Sequence, residues 1–285
     1  MTLTRRLWYG TLVATLAMVA AALQPAAAAS GTRPAAGSSE AWVDLELVLA
    51  VDVSYSMDTE EQALQRDGYV AAITSPEFLE ALRAGPQGRI AIAYVEWAGE
   101  NEQDVVVNWR IVDGPESARA FANAVAAAPI RRVYRTSISG ALLYSADQFD
   151  ANGYHGLRKV IDISGDGVNN QGLPVETARE SVVQRGITVN GLPLLLKRGS
   201  ASAIDVPELD IYYEDCVIGG PGAFMIPVEQ MSEFARAIKT KLVMEVAGLV
   251  PRPAPATARI VPVAAAQKRI SCTIGEKIWQ DHWAN

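Results

Sequence analysis

Histidine is nearly missing from this sequence: His155 and His282 are the only two in 285 residues. A histidine-based catalytic triad therefore has no sequence support. Neither a GxSxG elbow nor a GxxxxGK[ST] phosphate loop occurs, so two common enzyme signatures are absent. Positive charge is also short, with 25 Lys and Arg against 32 Asp and Glu and a formal charge of −7. That balance lacks the basic footprint needed to wrap a nucleic-acid backbone. It also disfavours anionic membrane surfaces. Beyond Leu23 no apolar run is long and uncharged enough to span a bilayer. There are no internal repeats.

The first residues are built differently. "MTLTRRLWYGTLVATLAMVAAALQPAAAAS" has two arginines, a long apolar run and then small residues of the A-x-A kind. It reads as a secretory signal peptide over 1–29, cut near Ala29. The alternative is a retained membrane anchor, since Leu7 to Leu23 approaches spanning length. Arg5 and Arg6 also raise a twin-arginine export signal. Cleavage removes two arginines and no acids, which moves the formal charge from −7 to −9. Residues 30–42 read as a small, polar linker. Residues 43–247 alternate apolar and amphipathic segments without a break, a length suited to one domain. A Pro/Ala-rich linker at 248–267 and a C-terminal segment at 268–285 follow.

Within the central stretch, "DLELVLAVDVS", "GRIAIAYVEWAG", "QDVVVNWRIV", "RKVIDISGDG", "ITVNGLPLLL" and "GAFMIPV" read as strands. "DTEEQALQRDGYVAAITS", "GPESARAFANAVAAAP", "TSISGALLYSADQFD", "PVETARESVVQRG" and "EQMSEFARAIKTKLVMEV" read as helices. The first strand is too apolar for a sheet covered on one side. Alternating strands and helices imply an α/β fold, a doubly wound and mostly parallel sheet with helices on both faces. In such folds the site lies beyond the carboxyl ends of the strands.

Asp52, Ser54 and Ser56 stand at that end of the first core strand, on alternate positions. Asp166 ends a later strand, and Thr136 stands at the start of a helix. Two carboxylates and three hydroxyls make the all-oxygen set that hard divalent cations take. Magnesium prefers six oxygens, keeps several waters and uses one or two carboxylates. Taken singly, the two serines and Thr136 also suit ordinary helix capping.

Asp52-x-Ser54-x-Ser56, the Thr of "TSISGAL" and Asp166-Gly167 together resemble the von Willebrand factor A-type domain and its metal-ion-dependent adhesion site. The resemblance spans roughly Val43 to Val246. "EEQALQRDGY", "RTSISGAL", "SGDGVNNQG" and "CVIGGPGAF" further resemble a bacterial exported subgroup of unknown function. The resemblance implies a Rossmann-like sheet and a metal shell. Ser54, Ser56 and Thr136 would supply hydroxyls, while Asp52 and Asp166 would bind directly or through water. The cation expected is Mg²⁺, with Mn²⁺ or Ca²⁺ as alternatives. A carboxylate of a partner protein would complete the shell.

The function expected is thus an exported, periplasmic or secreted binding module that captures an Asp or Glu of a partner, and not an enzyme. The rivals are an assembly factor with a purely stabilising metal and, more remotely, a metal-dependent hydrolase. A haloacid-dehalogenase-like phosphatase would need a second Asp where Ser54 stands. Glu96 either backs the metal site or pairs with an Arg. Asp162 and Asn190 read as structural, and Asp58 as a helix cap. The loop Ile218 to Phe224 either lines the partner face or only turns the chain. Cys216 and Cys272 are the sole cysteines. In an exported chain they are expected to bridge and to pin the C-terminal segment onto the domain.

Overall fold

The computed structural model describes residues 41–196, 206–248 and 270–283. The expected signal peptide and most of both expected linkers lie outside the described residues. The described chain opens with strands β1 (Ala41–Val43) and β2 (Leu45–Asp52), then helices α1 (Thr59–Ile73) and α2 (Pro76–Ala84). Asp58 caps α1 as expected. Its side chain accepts from the N–H groups of Glu60 and Glu61, and the Glu61 side chain accepts from the Asp58 N–H. This reciprocal box satisfies donors that the first helical turn leaves open. Strands β3 (Ile90–Trp97) and β4 (Gln103–Val112) follow, then α3 (Pro115–Ala126), α4 (Ile138–Asp147), β5 (Tyr154–Gly156) and β6 (Lys159–Gly165). After them come α5 (Val175–Gln184), β7 (Thr188–Pro193), α6 (Leu209–Tyr212) with a π-turn at Tyr213–Val217, α7 (Phe234–Ala247) and α8 (Ile274–Trp283). Helix α7 stops at Gly248, whose φ of 66° is the left-handed cap that glycine adopts without a Cβ clash.

The main sheet has the order β4-β3-β2-β6-β7. β2 pairs in parallel with β3 and β6, and β6 with β7, while β4 alone runs antiparallel at the edge. β1 and β5 form a separate two-stranded pair. All eight residues of β2 are buried, because both faces of the sheet are covered. Its odd positions Leu45, Leu47, Leu49 and Val51 share a core with Tyr69, Phe78, Phe121 and Leu242, so α1, α2, α3 and α7 lie on that face. Its even positions Val48 and Ala50 share the second core with Leu142, Val182 and Tyr213, from α4, α5 and the π-turn. This is the doubly wound α/β architecture expected.

The path of the chain creates one reversal. From β2 it moves outward to β3 and β4, then returns to the other side of β2 for β6 and β7. The switch lies between β2 and β6, and a crevice forms there beyond the strand ends. The segment expected as a last strand, "GAFMIPV", forms no strand. It touches β7 and the residue after it through isolated bridges, Gly191 to Met225 and Leu194 to Val228, and Gly219 bridges Val189. Pro227 has no N–H to extend a ladder. The loop at 218–224 thus covers an otherwise open sheet edge. Helix α2 lies in a stretch to which the sequence pattern assigned no element; Ser75 caps it and Pro76 opens it.

Polar groups cross the first core in a line. Glu96 on β3 pairs with Arg66 on α1 at 2.5 Å, which resolves its two readings toward the arginine. Ser164 on β6 accepts from Gln65 at 2.8 Å. Asp162 on β6 pairs with Lys241 on α7, and Lys241 also meets Glu245 at 2.6 Å. Asn190 on β7 donates to Glu245 at 2.9 Å and accepts from the Phe224 N–H at 3.0 Å, so it is structural as expected. Lys241 is fully buried and balances two carboxylates. Burial and then the neighbouring Asp162 charge push Glu245 up to about 7. Among the described residues no helix is long and apolar enough to cross a membrane.

This cluster makes a pH prediction. The folded state holds the Glu245 proton more tightly than the unfolded chain does. Its contribution to stability is therefore full below the unfolded value of 4.5 and is lost as pH rises through about 7. Denaturant melts of wild type and Glu245→Gln across that window should show a steeper loss of stability with rising pH in wild type than in the variant. Lys241→Met should cost about 3–5 kcal/mol, because it strands buried carboxylates without their cation.

Candidate functional site

The site is built on the ends of β2 and β6. After Asp52 the chain leaves the sheet but stays pinned. The Val53 N–H donates to the Trp97 carbonyl at 2.9 Å, the Val133 N–H to the Val53 carbonyl at 3.0 Å, and the Tyr55 N–H to the Val133 carbonyl at 2.9 Å. The Asp-x-Ser-x-Ser turn is thus clamped between β3 and the strand-like stretch before α4. Asp52 is fully buried, and its Oδ1 accepts the Ser54 N–H at 2.7 Å. The Ser54 and Ser56 hydroxyls lie 2.7 Å apart. Ser56 Oγ then donates to Asp166 Oδ1 at 2.5 Å.

The structure therefore brings Asp52, Ser54, Ser56 and Asp166 into one chain of oxygens. Thr136 joins from the segment just before α4. A Cβ placed on Gly167 would lie 3.7 Å from Thr136 Oγ1, so this hydroxyl sits against the Asp166-Gly167 turn. Two asparagines hold it there. The Thr136 N–H donates to Asn170 Oδ1 at 3.1 Å, and the Asn170 N–H donates back to the Thr136 carbonyl at 2.9 Å. Asn169 Oδ1 accepts the Ser139 N–H in the first turn of α4 at 3.0 Å. Sequence reasoning gave these asparagines no role. The polar run "GVNNQG" directly after Asp166 was the available signal.

One oxygen in this arrangement is unsatisfied. Asp52 Oδ2 is buried and has no hydrogen-bond partner. Gly165 keeps the space beside it open, since a Cβ there would come within 2.8 Å of that oxygen. Burial, then the nearby Asp166 carboxylate, push Asp52 up to about 8. An ionised carboxylate in such a place needs a compensating positive charge or a proton. The donor set fits a hard cation: oxygens only, two carboxylates and three hydroxyls. Among the described residues no cluster of three or more His, Cys, Asp or Glu is placed to hold a metal. Any metal at this position would depend on the hydroxyls.

The C-terminal segment reaches the same neighbourhood. Cys216 and Cys272 form the expected disulfide, with Cα atoms 5.5 Å apart across 56 positions of sequence. It ties the π-turn to the start of α8. Glu276 on α8 accepts from Asn169 at 2.7 Å, in the loop after Asp166. A Cβ on Gly275 would meet the Asn169 carbonyl oxygen at 2.1 Å, so the helix backbone lies directly against that loop. Trp279 receives the Arg135 guanidinium 3.6 Å from its ring centroid. Arg135 precedes Thr136 and has a φ of 77°, a left-handed conformation unusual for a residue with a Cβ. The sequence located the staple but not what the docked helix would touch.

The chain belongs to the family described as a protein of unknown function (DUF1194), which it matches over residues 42–250. No curated protein matches it. Among solved structures it is similar to proximal thread matrix protein 1 from the mussel byssus, at 14% identity and a TM-score of 0.52. That match covers 73% of this chain and 48% of the mussel protein. A structure of the same mussel protein with a zinc-occupied MIDAS motif is similar at 15% identity and a TM-score of 0.50, covering 73% and 49%. The pilus adhesin SpaC of Lactobacillus rhamnosus GG, in its open conformation, is similar at 12% identity and a TM-score of 0.52, covering 72% and 30%. This chain thus spans about half of the mussel protein and under a third of the adhesin. At these identities the likeness is one of fold, and the fold is von Willebrand factor A-like.

Two changes test the docking of α8. Cys272→Ser should lower stability by up to about 4 kcal/mol, the chain-entropy value for a closed loop of this size. Gly275→Ala should push α8 off the loop even with the disulfide intact. Hydrogen exchange would then show faster exchange in α8 and in residues 166–172, with the sheet strands unchanged.

Proposed function

We propose that this chain is an exported, metal-dependent protein-binding module. One divalent cation, Mg²⁺ or Mn²⁺ with Ca²⁺ as the alternative, would be held by Ser54, Ser56, Thr136, Asp52 and Asp166. The observation that carries the reading is the buried Asp52 Oδ2 without a partner, beside a chain of hydroxyls that ends on a second carboxylate. A cation bound there would offer a positive centre that an outside Asp or Glu carboxylate can ligate. The chain's own residues have separate tasks. Asp52 and Asp166 supply the negative charge. The hydroxyls supply neutral oxygens, which leaves the cation short of charge and receptive to an external carboxylate. The clamp between Val53, Tyr55 and Val133 holds the serines in place.

Two solved structures of similar fold support the reading, one a matrix protein with a zinc-occupied MIDAS motif and one a pilus adhesin. Export is supported by the leader-like N-terminal sequence and by the disulfide, which persists in oxidising compartments.

Titration calorimetry on chelated protein should find one Mn²⁺ site in wild type and none in Asp52→Ala/Asp166→Ala. Cation at a hundredfold excess over Kd should stabilise the wild-type domain by about 2.7 kcal/mol. Asp52→Asn removes the buried charge, so in chelator it should be at least as stable as wild type and should gain nothing from cation. Equal cation binding by wild type and the double variant would falsify the assignment.

A further inference from the structure

We propose that Arg132 and Arg135 form a cationic shelf beside the candidate metal position, which selects partner segments carrying a second acidic side chain close to the ligating carboxylate. The inference rests on the metal-dependent reading above and adds the chemistry of the partner. Both arginines belong to the short stretch that clamps the serine turn. Val133, between them, bridges Ser54, and Thr136 follows directly.

Each guanidinium is fixed from below. Arg132 Nη2 donates to the Tyr55 carbonyl at 2.8 Å, and its Cζ lies 4.5 Å from the Tyr55 ring centroid. Tyr55 is the residue between the two serines. Its ring stacks on Tyr134, with centroids 4.2 Å apart and planes 11° from parallel. The two rings are 45% and 71% exposed, so they are spent on no core. Arg135 lies on Trp279 of the disulfide-held helix. Flat aromatic supports suit planar guanidinium and leave its edge donors free to point outward.

The charge on this shelf is not balanced from within. Arg131, one residue earlier, pairs with Asp104 at 3.0 Å. Among the described residues no carboxylate pairs with Arg132 or Arg135; Arg132 Nε is buried without a hydrogen-bond partner, so only the Nη edge of that guanidinium can meet an outside group. These two arginines are a local concentration of positive charge in a chain of net charge −7. A guanidinium edge matches a carboxylate with two parallel hydrogen bonds. The first acid of the partner would be taken by the cation, so the shelf is left for a second.

The test uses full-length mature protein in Mn²⁺ and capped, fluorescent glycine-rich peptides. One peptide carries a single Asp, and a set adds a Glu one to four residues further on. Anisotropy should show at least one diacid peptide binding about tenfold tighter than the single-acid peptide, as a charge-assisted pair implies. Arg132→Gln/Arg135→Gln should erase that advantage, so that the diacid and single-acid peptides bind alike, while Mn²⁺ is still bound. Trp279→Ala should reduce it in part. Equal wild-type affinity for both peptide classes, or an advantage that survives in the double variant, would overturn the shelf. Chelator separates the two levels. Single-acid binding that ignores chelator sinks the metal reading and this inference with it; chelator-sensitive binding without a diacid advantage sinks the shelf alone.

Discussion

A carboxylate with no solvent exposure and one unpartnered oxygen is an expensive thing to bury. Asp52 is that group, and much of the surrounding architecture serves to hold it. It closes the central strand of the sheet. Its other oxygen organises the turn that follows, by accepting the Ser54 N–H. That turn aims Ser56 at Asp166, across the gap between β2 and β6. Two acids drawn this close repel each other, and the repulsion adds to the push of burial on Asp52. A cation among the five oxygens removes both costs at once, which is the physical basis for the binding role proposed.

The rest of the fold makes that placement possible. A parallel sheet covered on both faces excludes water from β2, and the reversal of chain direction opens a crevice at its end. Across the opposite core, buried polar pairs tie α1 and α7 to the strands: Arg66 to Glu96, Gln65 to Ser164, Lys241 to Asp162. Such pairs specify one arrangement of helices on the sheet, since a slipped helix would leave charges unpaired. On the outer side the disulfide brings α8 against the loop after Asp166. A segment far away in sequence thereby becomes a neighbour of the candidate site.

Much of this was legible in the sequence because it rests on local rules. The β-rich run ending in Asp52-x-Ser54-x-Ser56, the strand ending before Asp166 and the helix after Thr136 announce themselves by periodicity and by where polarity begins. Asp58 was readable as a cap because capping boxes are local. Other features depend on distant parts of the chain. The Arg66 partner of Glu96 stands 30 residues away, and Lys241 meets Asp162 from the far end of the domain. Periodicity says nothing about which buried charges meet. "GAFMIPV" has strand-like composition, but Pro227 and the glycines before it limit pairing with β7 to isolated bridges. The Tyr55–Tyr134 stack and the Arg135–Trp279 contact were invisible, because each joins residues that only the folded chain brings side by side.

The central claim is a claim about position, and diffraction addresses it most directly. Crystals of the domain grown with Mn²⁺ can be measured at the manganese absorption edge. The account predicts a single strong anomalous peak among the oxygens of Ser54, Ser56 and Thr136, with Asp52 and Asp166 beside it. A fully occupied peak elsewhere on the molecule, or none among these oxygens at saturating Mn²⁺, would contradict it.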